Sequence, residues 1–119
     1  MPDSAKGQIL VIAPAADLRN SLRFALEAEG YRVTTRENVS GGLPPRPSYD
    51  CIVLDHHAAD ADREAARRLA VSFQPTVLLA NHAGHPLSSL MFRTVLKPML
   101  GPALANAVRD ALITRANPT

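Results

Sequence analysis

The run Cys51, Ile52, Val53, Leu54 ends on Asp55, and His56 and His57 follow directly. Consecutive apolar residues suit a buried strand that carries one carboxylate to its carboxyl end. Asp55 could there be a metal ligand, a nucleophile, a phosphoryl acceptor or a structural acid. Two more imidazoles, His82 and His85, follow a second apolar run, Thr76 to Ala80. Imidazole beside carboxylate suits Zn²⁺ or Ni²⁺, and catalytic zinc sites use three such ligands. Neither histidine pair, however, has the helical i, i+4 spacing of strong zinc motifs, and a solvated histidine rim is the alternative. A phosphatase-like use of Asp55 would need a nearby proton donor. Asp60 and Asp62 fall instead where acids cap a helix, so no enzyme is expected. Cys51 reads as a small core residue and not a reactive thiol.

These groups need elements to hold them. Gln8 to Ala13 reads as a first strand. A helix should follow, with Leu18, Leu22, Ala25 and Leu26 on one face, Asp17 as N-cap and Gly30 as stop. Tyr31 to Thr35 alternates as a second strand. The stretch Asn38 to Ser48 holds two glycines and three prolines, which argues against a regular helix. Cys51 to Asp55 is the third strand. A helical period over Asp62 to Phe73 places Ala65, Ala66, Leu69, Ala70 and Phe73 together. Thr76 to Ala80 is the fourth strand, and Pro86 could open a brief helix through Phe92. Arg93 to Lys97 is the fifth strand, cut off by Pro98. A last helix from Pro102 to Thr114 aligns Leu104, Val108, Ala111 and Leu112.

Strands alternating with helices imply an α/β protein with a parallel sheet and helices on both faces. Function in such sheets gathers at the carboxyl ends of the strands. That edge should bring Asp55 and Lys97 together, with Ala13, Pro14, Ala80 and Asn81 nearby.

The 119 residues suffice for one domain, residues 1–119 with a core of about 8–114. A hydrophobic fraction of 46% without any run of about 20 apolar residues argues against a membrane span. The start does not resemble a signal peptide, and a lone cysteine excludes an internal disulfide, so a cytoplasmic location is expected. The net charge of +2 comes from dispersed arginines, with few aromatics to stack on bases, so direct nucleic-acid binding is not expected.

"ILVIAPAADLR", "YDCIVLD", "PTVLLAN" and "VLKP", in this order, resemble the receiver domains of two-component response regulators. The resemblance to this CheY-like superfamily spans about residues 8–114. It implies a flavodoxin-like, five-stranded parallel sheet in order 2-1-3-4-5. Asp55 then stands at the phosphoacceptor position, and Lys97 at that of the lysine that pairs with it and with the phosphoryl oxygens. The bond to Pro98 is usually cis in the family.

The departures are chemical. Receivers end the first strand in two acids that hold Mg²⁺; here Ala13 and Pro14 stand there, and neither side chain offers an oxygen. Mg²⁺ sites rest on one or two carboxylates plus phosphate, and the metal offsets the charge of phosphoryl transfer. Mg²⁺ binding is therefore expected to be weak or absent, with no resident cofactor. Asp17 comes three residues too late. Ala80 replaces the hydroxyl residue that contacts the phosphoryl group, and Thr94 replaces a switching aromatic. The family's second and fourth helices should be shortened or irregular.

The resemblance implies an atypical receiver that acts by protein–protein interaction. Its partner would be a histidine kinase, a phosphotransfer protein, another regulator or a second copy of the chain. A homodimer face would carry Leu90, Met91, Phe92, Arg93 and Arg109; a kinase would dock near Arg19 and Arg23. No DNA-binding output domain is expected, so signalling would pass through the partner. The alternatives are a phosphorylatable sink or shuttle using Asp55, and a metal-binding module using His56, His57, His82 and His85.

Overall fold

The structure is a computed structural model and describes residues 7–40, 49–72, 75–97 and 103–116. Five strands form one sheet: β1 (Gln8–Ile12), β2 (Arg32–Arg36), β3 (Cys51–Asp55), β4 (Thr76–Ala80) and β5 (Arg93–Leu96). All neighbours are parallel, in the order β2-β1-β3-β4-β5. The apolar runs sit in the middle of the sheet because only interior strands are covered on both faces. Every residue of β3 and β4 is buried, whereas the edge strand β2 alternates towards solvent.

Helices cover both faces: α1 (Ala16–Ala28), α2 (His56–Ala61), α3 (Arg63–Ser72) and α4 (Ala103–Ala116). Alternating strand residues feed two separate cores, as the two-residue strand period requires. Leu10, Ile12, Ile52, Leu54 and Leu78 face α2 and α3, with Ala58, Ala66 and Leu69 opposite. Ile9, Val11, Val53, Val77 and Leu79 face α1 and α4, with Leu22, Leu26, Leu104 and Val108 opposite. Cys51 is buried in this second core, as its apolar context predicts.

Several boundaries differ from the sequence expectation. Ala15, without a side-chain bond, takes the N-cap position of α1, and Asp17 lies inside the first turn. Ala25 is exposed, so only Leu18, Leu22 and Leu26 form the buried stripe. The far end of α1 does stop at Gly30, whose φ of 100° suits glycine. The Gly30 and Tyr31 N–H groups donate to the Glu27 and Leu26 carbonyls, a Schellman closure.

After β3 the chain enters a helix at once, at His56 and not at Asp62. Asp55 accepts a hydrogen bond from the His57 N–H and so caps α2 with its own side chain. Asp62 leaves helical geometry, and its carboxylate accepts from the Ala65 N–H to start α3. After β4 only a single 3₁₀ turn forms, Ser88–Leu90, in place of a helix. Met91, expected on the surface, is buried against the α3 side of the sheet because the chain turns inward there. Most of the proline-rich stretch, Phe73, Pro98 and Pro102 lie outside the described residues.

Candidate functional site at the carboxyl edge of the sheet

Asp55 ends β3 with only 1% of its side chain exposed. Lys97 directly follows β5, and its backbone N–H extends the ladder by bonding the Ala80 carbonyl at 2.9 Å. From there the ammonium reaches across the end of β4 and pairs with Asp55 Oδ1. Ala80, buried between the two strands, presents a methyl group and no hydroxyl. The second oxygen, Oδ2, receives the His57 N–H at 3.0 Å and lies 3.2 Å from His57 Nδ1. Asp55 is thus an ion pair and a helix cap together.

The end of β1 is closed differently. The Arg19 guanidinium donates from Nη1 to the Ala13 carbonyl at 2.8 Å and to the Pro14 carbonyl at 3.1 Å. Glu37 stands 3.9 Å from the same guanidinium. Helix geometry explains the reach, because the first turn of α1 swings Arg19 back over the loop that precedes it. Where a resemblance to receivers would place two acids, this chain has two carbonyls held by a cation.

The four histidines separate into three environments. His56 and His57 open α2, with ring centroids 4.0 Å apart, although adjacent helical residues diverge in direction. Asp55, His56 and His57 each offer a ligand atom within 4.8 Å of the others. His56 Nε2 is buried and has no hydrogen-bond partner in the protein. Burial, aided by His57 and Lys97 and only partly opposed by Asp55 and Asp60, pushes the His56 imidazole below its ordinary pKa.

His85 lies elsewhere and is buried. Its Nδ1 accepts from the Leu87 N–H at 3.1 Å, so the proton sits on Nε2, 2.8 Å from Asp60 Oδ1. Desolvation works against the charge on Asp60, but the hydrogen bonds from His85 and Arg63 outweigh it and hold the carboxyl below its usual range. Asp60 is therefore a junction, with its other oxygen 3.6 Å from His56 Nδ1. His82 is exposed and joins no such group among the described residues. Sequence reasoning treated Asp60 as an ordinary helix cap; its partner His85 stands 25 positions on, which no local pattern reveals.

Thr94 is partly buried in β5, and its hydroxyl bonds Ser88 Oγ at 3.4 Å. Ser88 in turn donates to the Ala83 carbonyl at 3.3 Å. The position that would hold a swinging aromatic instead ties β5 to the 3₁₀ turn. On the neighbouring surface Arg93 pairs with Asp110 at 3.0 Å and lies over the Phe92 ring, while Arg109 is exposed.

No protein-family model matches this chain, and no curated protein does so either. Solved structures do. The non-phosphorylated HemR receiver domain of Leptospira biflexa is 21% identical, with a TM-score of 0.75 over 90% of this chain and 94% of that one. A response-regulator receiver domain from Clostridium thermocellum is 18% identical, with a TM-score of 0.76 over 92% and 96%. The receiver domain of the sensor histidine kinase PA1611 from Pseudomonas aeruginosa has a magnesium ion coordinated in its active-site cleft; it is 20% identical, with a TM-score of 0.72 over 91% and 98%. This chain therefore has the CheY-like fold of response-regulator receiver domains.

Proposed function

We propose that this chain is an atypical receiver domain of a two-component system that signals by protein–protein contact, without ordinary Mg²⁺-dependent phosphorylation of Asp55. The observation that carries the reading is Arg19 on the carbonyls of Ala13 and Pro14. No acidic side chain stands at the end of β1 to help Asp55 hold a metal, and a guanidinium already sits on the backbone carbonyls there. A second cation there would be opposed by the first. A carboxylate attacking an anionic phosphoryl group relies on a metal to offset the repulsion. Ala80 adds no hydroxyl to hold the transferred group.

The reading is also non-enzymatic. Asp60, the nearest acid along α2, is committed to His85 and Arg63 and is not a free proton donor. The partner would be a histidine kinase, a phosphotransfer protein or another regulator. The α1 face suits docking, since Phe24 is 77% exposed beside the Arg23–Glu27 pair. Among the described residues no helix is long and apolar enough to cross a membrane.

A second reading, a phosphorylatable sink or shuttle, has one observation in its favour: Lys97 still pairs with Asp55. Titration with Mg²⁺ and then beryllofluoride, followed through the amide resonances around Asp55, separates the two. No saturable shift at millimolar Mg²⁺ is expected. Saturable shifts that sharpen with beryllofluoride would overturn the primary reading in favour of the second.

A further inference from the structure

We propose that Asp55, His56 and His57 form a binding site for a divalent transition-metal ion of the Zn²⁺ class. The proposal does not rest on the signalling reading, because two of its three ligands are imidazoles and it needs no acidic pair.

The geometry supports a three-ligand site. One ligand atom from each residue lies within 4.8 Å of the other two. Asp55 Oδ2 and His57 Nδ1 are 3.2 Å apart. Two ligands about 2.0–2.1 Å from a tetrahedral Zn²⁺ lie ~3.3 Å from each other, so this pair needs little movement to chelate. It also needs the neutral His57 tautomer with its proton on Nε2, a nitrogen on an exposed ring.

His56 supplies the third ligand. Its Nε2 is buried without a partner, an arrangement that leaves a lone pair unused. Asp60 Oδ2, 3.6 Å from Nδ1, favours the proton on that nitrogen and so directs the lone pair to Nε2. Asp60 is itself held by His85 at 2.8 Å and Arg63 at 3.1 Å. Carboxylates oriented behind a ligating imidazole are the ordinary outer layer of metal sites.

Charge selects the ion. Lys97 on Asp55 Oδ1 offsets the one formal negative charge, which disfavours a hard, strongly hydrated ion such as Mg²⁺. Two imidazole ligands favour the borderline ions Zn²⁺, Co²⁺ and Ni²⁺. With three protein ligands, the fourth position would remain for water or for a side chain of a partner.

The test is Zn²⁺ titration by calorimetry, with Co²⁺ as a visible-absorption probe, on protein carrying no affinity tag. We expect one saturable Zn²⁺ per chain and a Co²⁺ spectrum of tetrahedral character. His57→Ala, at an exposed ring, should weaken binding at least about tenfold, and Asp60→Asn about 10–100-fold. His82→Ala should leave binding unchanged, and circular dichroism should show each variant folded. Absence of saturable Zn²⁺ binding, unchanged binding in folded His57→Ala, loss in His82→Ala, or preference for Mg²⁺ over Zn²⁺ would each overturn the site. Failure here would leave the beryllofluoride result untouched.

Discussion

Arg19 Nη1 lies 2.8 Å from the carbonyl oxygen of Ala13, six residues earlier in the chain. The contact places a permanent positive charge at the end of β1. On the reading proposed above, this charge disfavours a metal ion at that end of the sheet, which substitution can test.

Introducing two acids there should create an Mg²⁺ site. Ala13→Asp with Pro14→Asp would set two carboxylates beside Asp55 and give Arg19 new partners. Mg²⁺ affinity, read from amide shifts, should rise at least about tenfold, or ~1.4 kcal/mol. An unchanged titration would show that more than the acid pair is missing.

The Lys97–Asp55 pair should behave as a buried ion pair. Lys97→Met strands a carboxylate that is almost wholly buried, and should cost about 3 kcal/mol in urea unfolding. Adding Asp55→Asn removes the stranded charge and should recover much of that loss, while the amide oxygen can still cap α2. Equal losses in the single and double variants would contradict the pairing.

His85 should stiffen the connection that follows β4. Both ring nitrogens are used, one on Asp60 and one on the Leu87 N–H. His85→Leu leaves that buried N–H unsatisfied, at a cost of about 1–3 kcal/mol. Hydrogen exchange should quicken first at Leu87 and in the 3₁₀ turn, and least in β3.

Alkaline pH should expose the burial of Tyr31. Desolvation, with the nearby charges of Glu29 and Cys51, raises its phenol above the ordinary value, and Arg109 opposes this only in part. A folded pKa above the unfolded one gives stability that is fully present below the unfolded value of about 10. That stability is lost as pH rises through the folded pKa. Ultraviolet titration should show one late-titrating tyrosine, and Tyr31→Phe should flatten the alkaline limb of the stability profile.

The strands were legible because their signals are local. A run such as Thr76 to Ala80 can be placed only where both faces are covered, and parallel order follows from the helices between runs. The meeting of Asp55 and Lys97 followed from topology alone, since Asp55 ends β3 and Lys97 follows the edge strand β5 at the same end of the sheet. Helix starts were less legible. Asp55 caps α2 with the same oxygen that faces His57, so the acid read as a site residue is also the signal that begins a helix. Asp17, which looked like a cap, has no such role.

By itself, then, the sequence determined the α/β pattern, the sheet edge where its chemistry collects, and the absence of acidic side chains at Ala13 and Pro14. Tertiary structure alone decided what replaced them. Arg19 reaches its carbonyls through the turn into α1, and Asp60 finds His85 across two elements. It also decided that two of the four histidines stand with Asp55 while His82 and His85 do not. The physical reason is range: patterning acts within a turn or a strand, whereas a polar group's partner depends on which elements pack side by side.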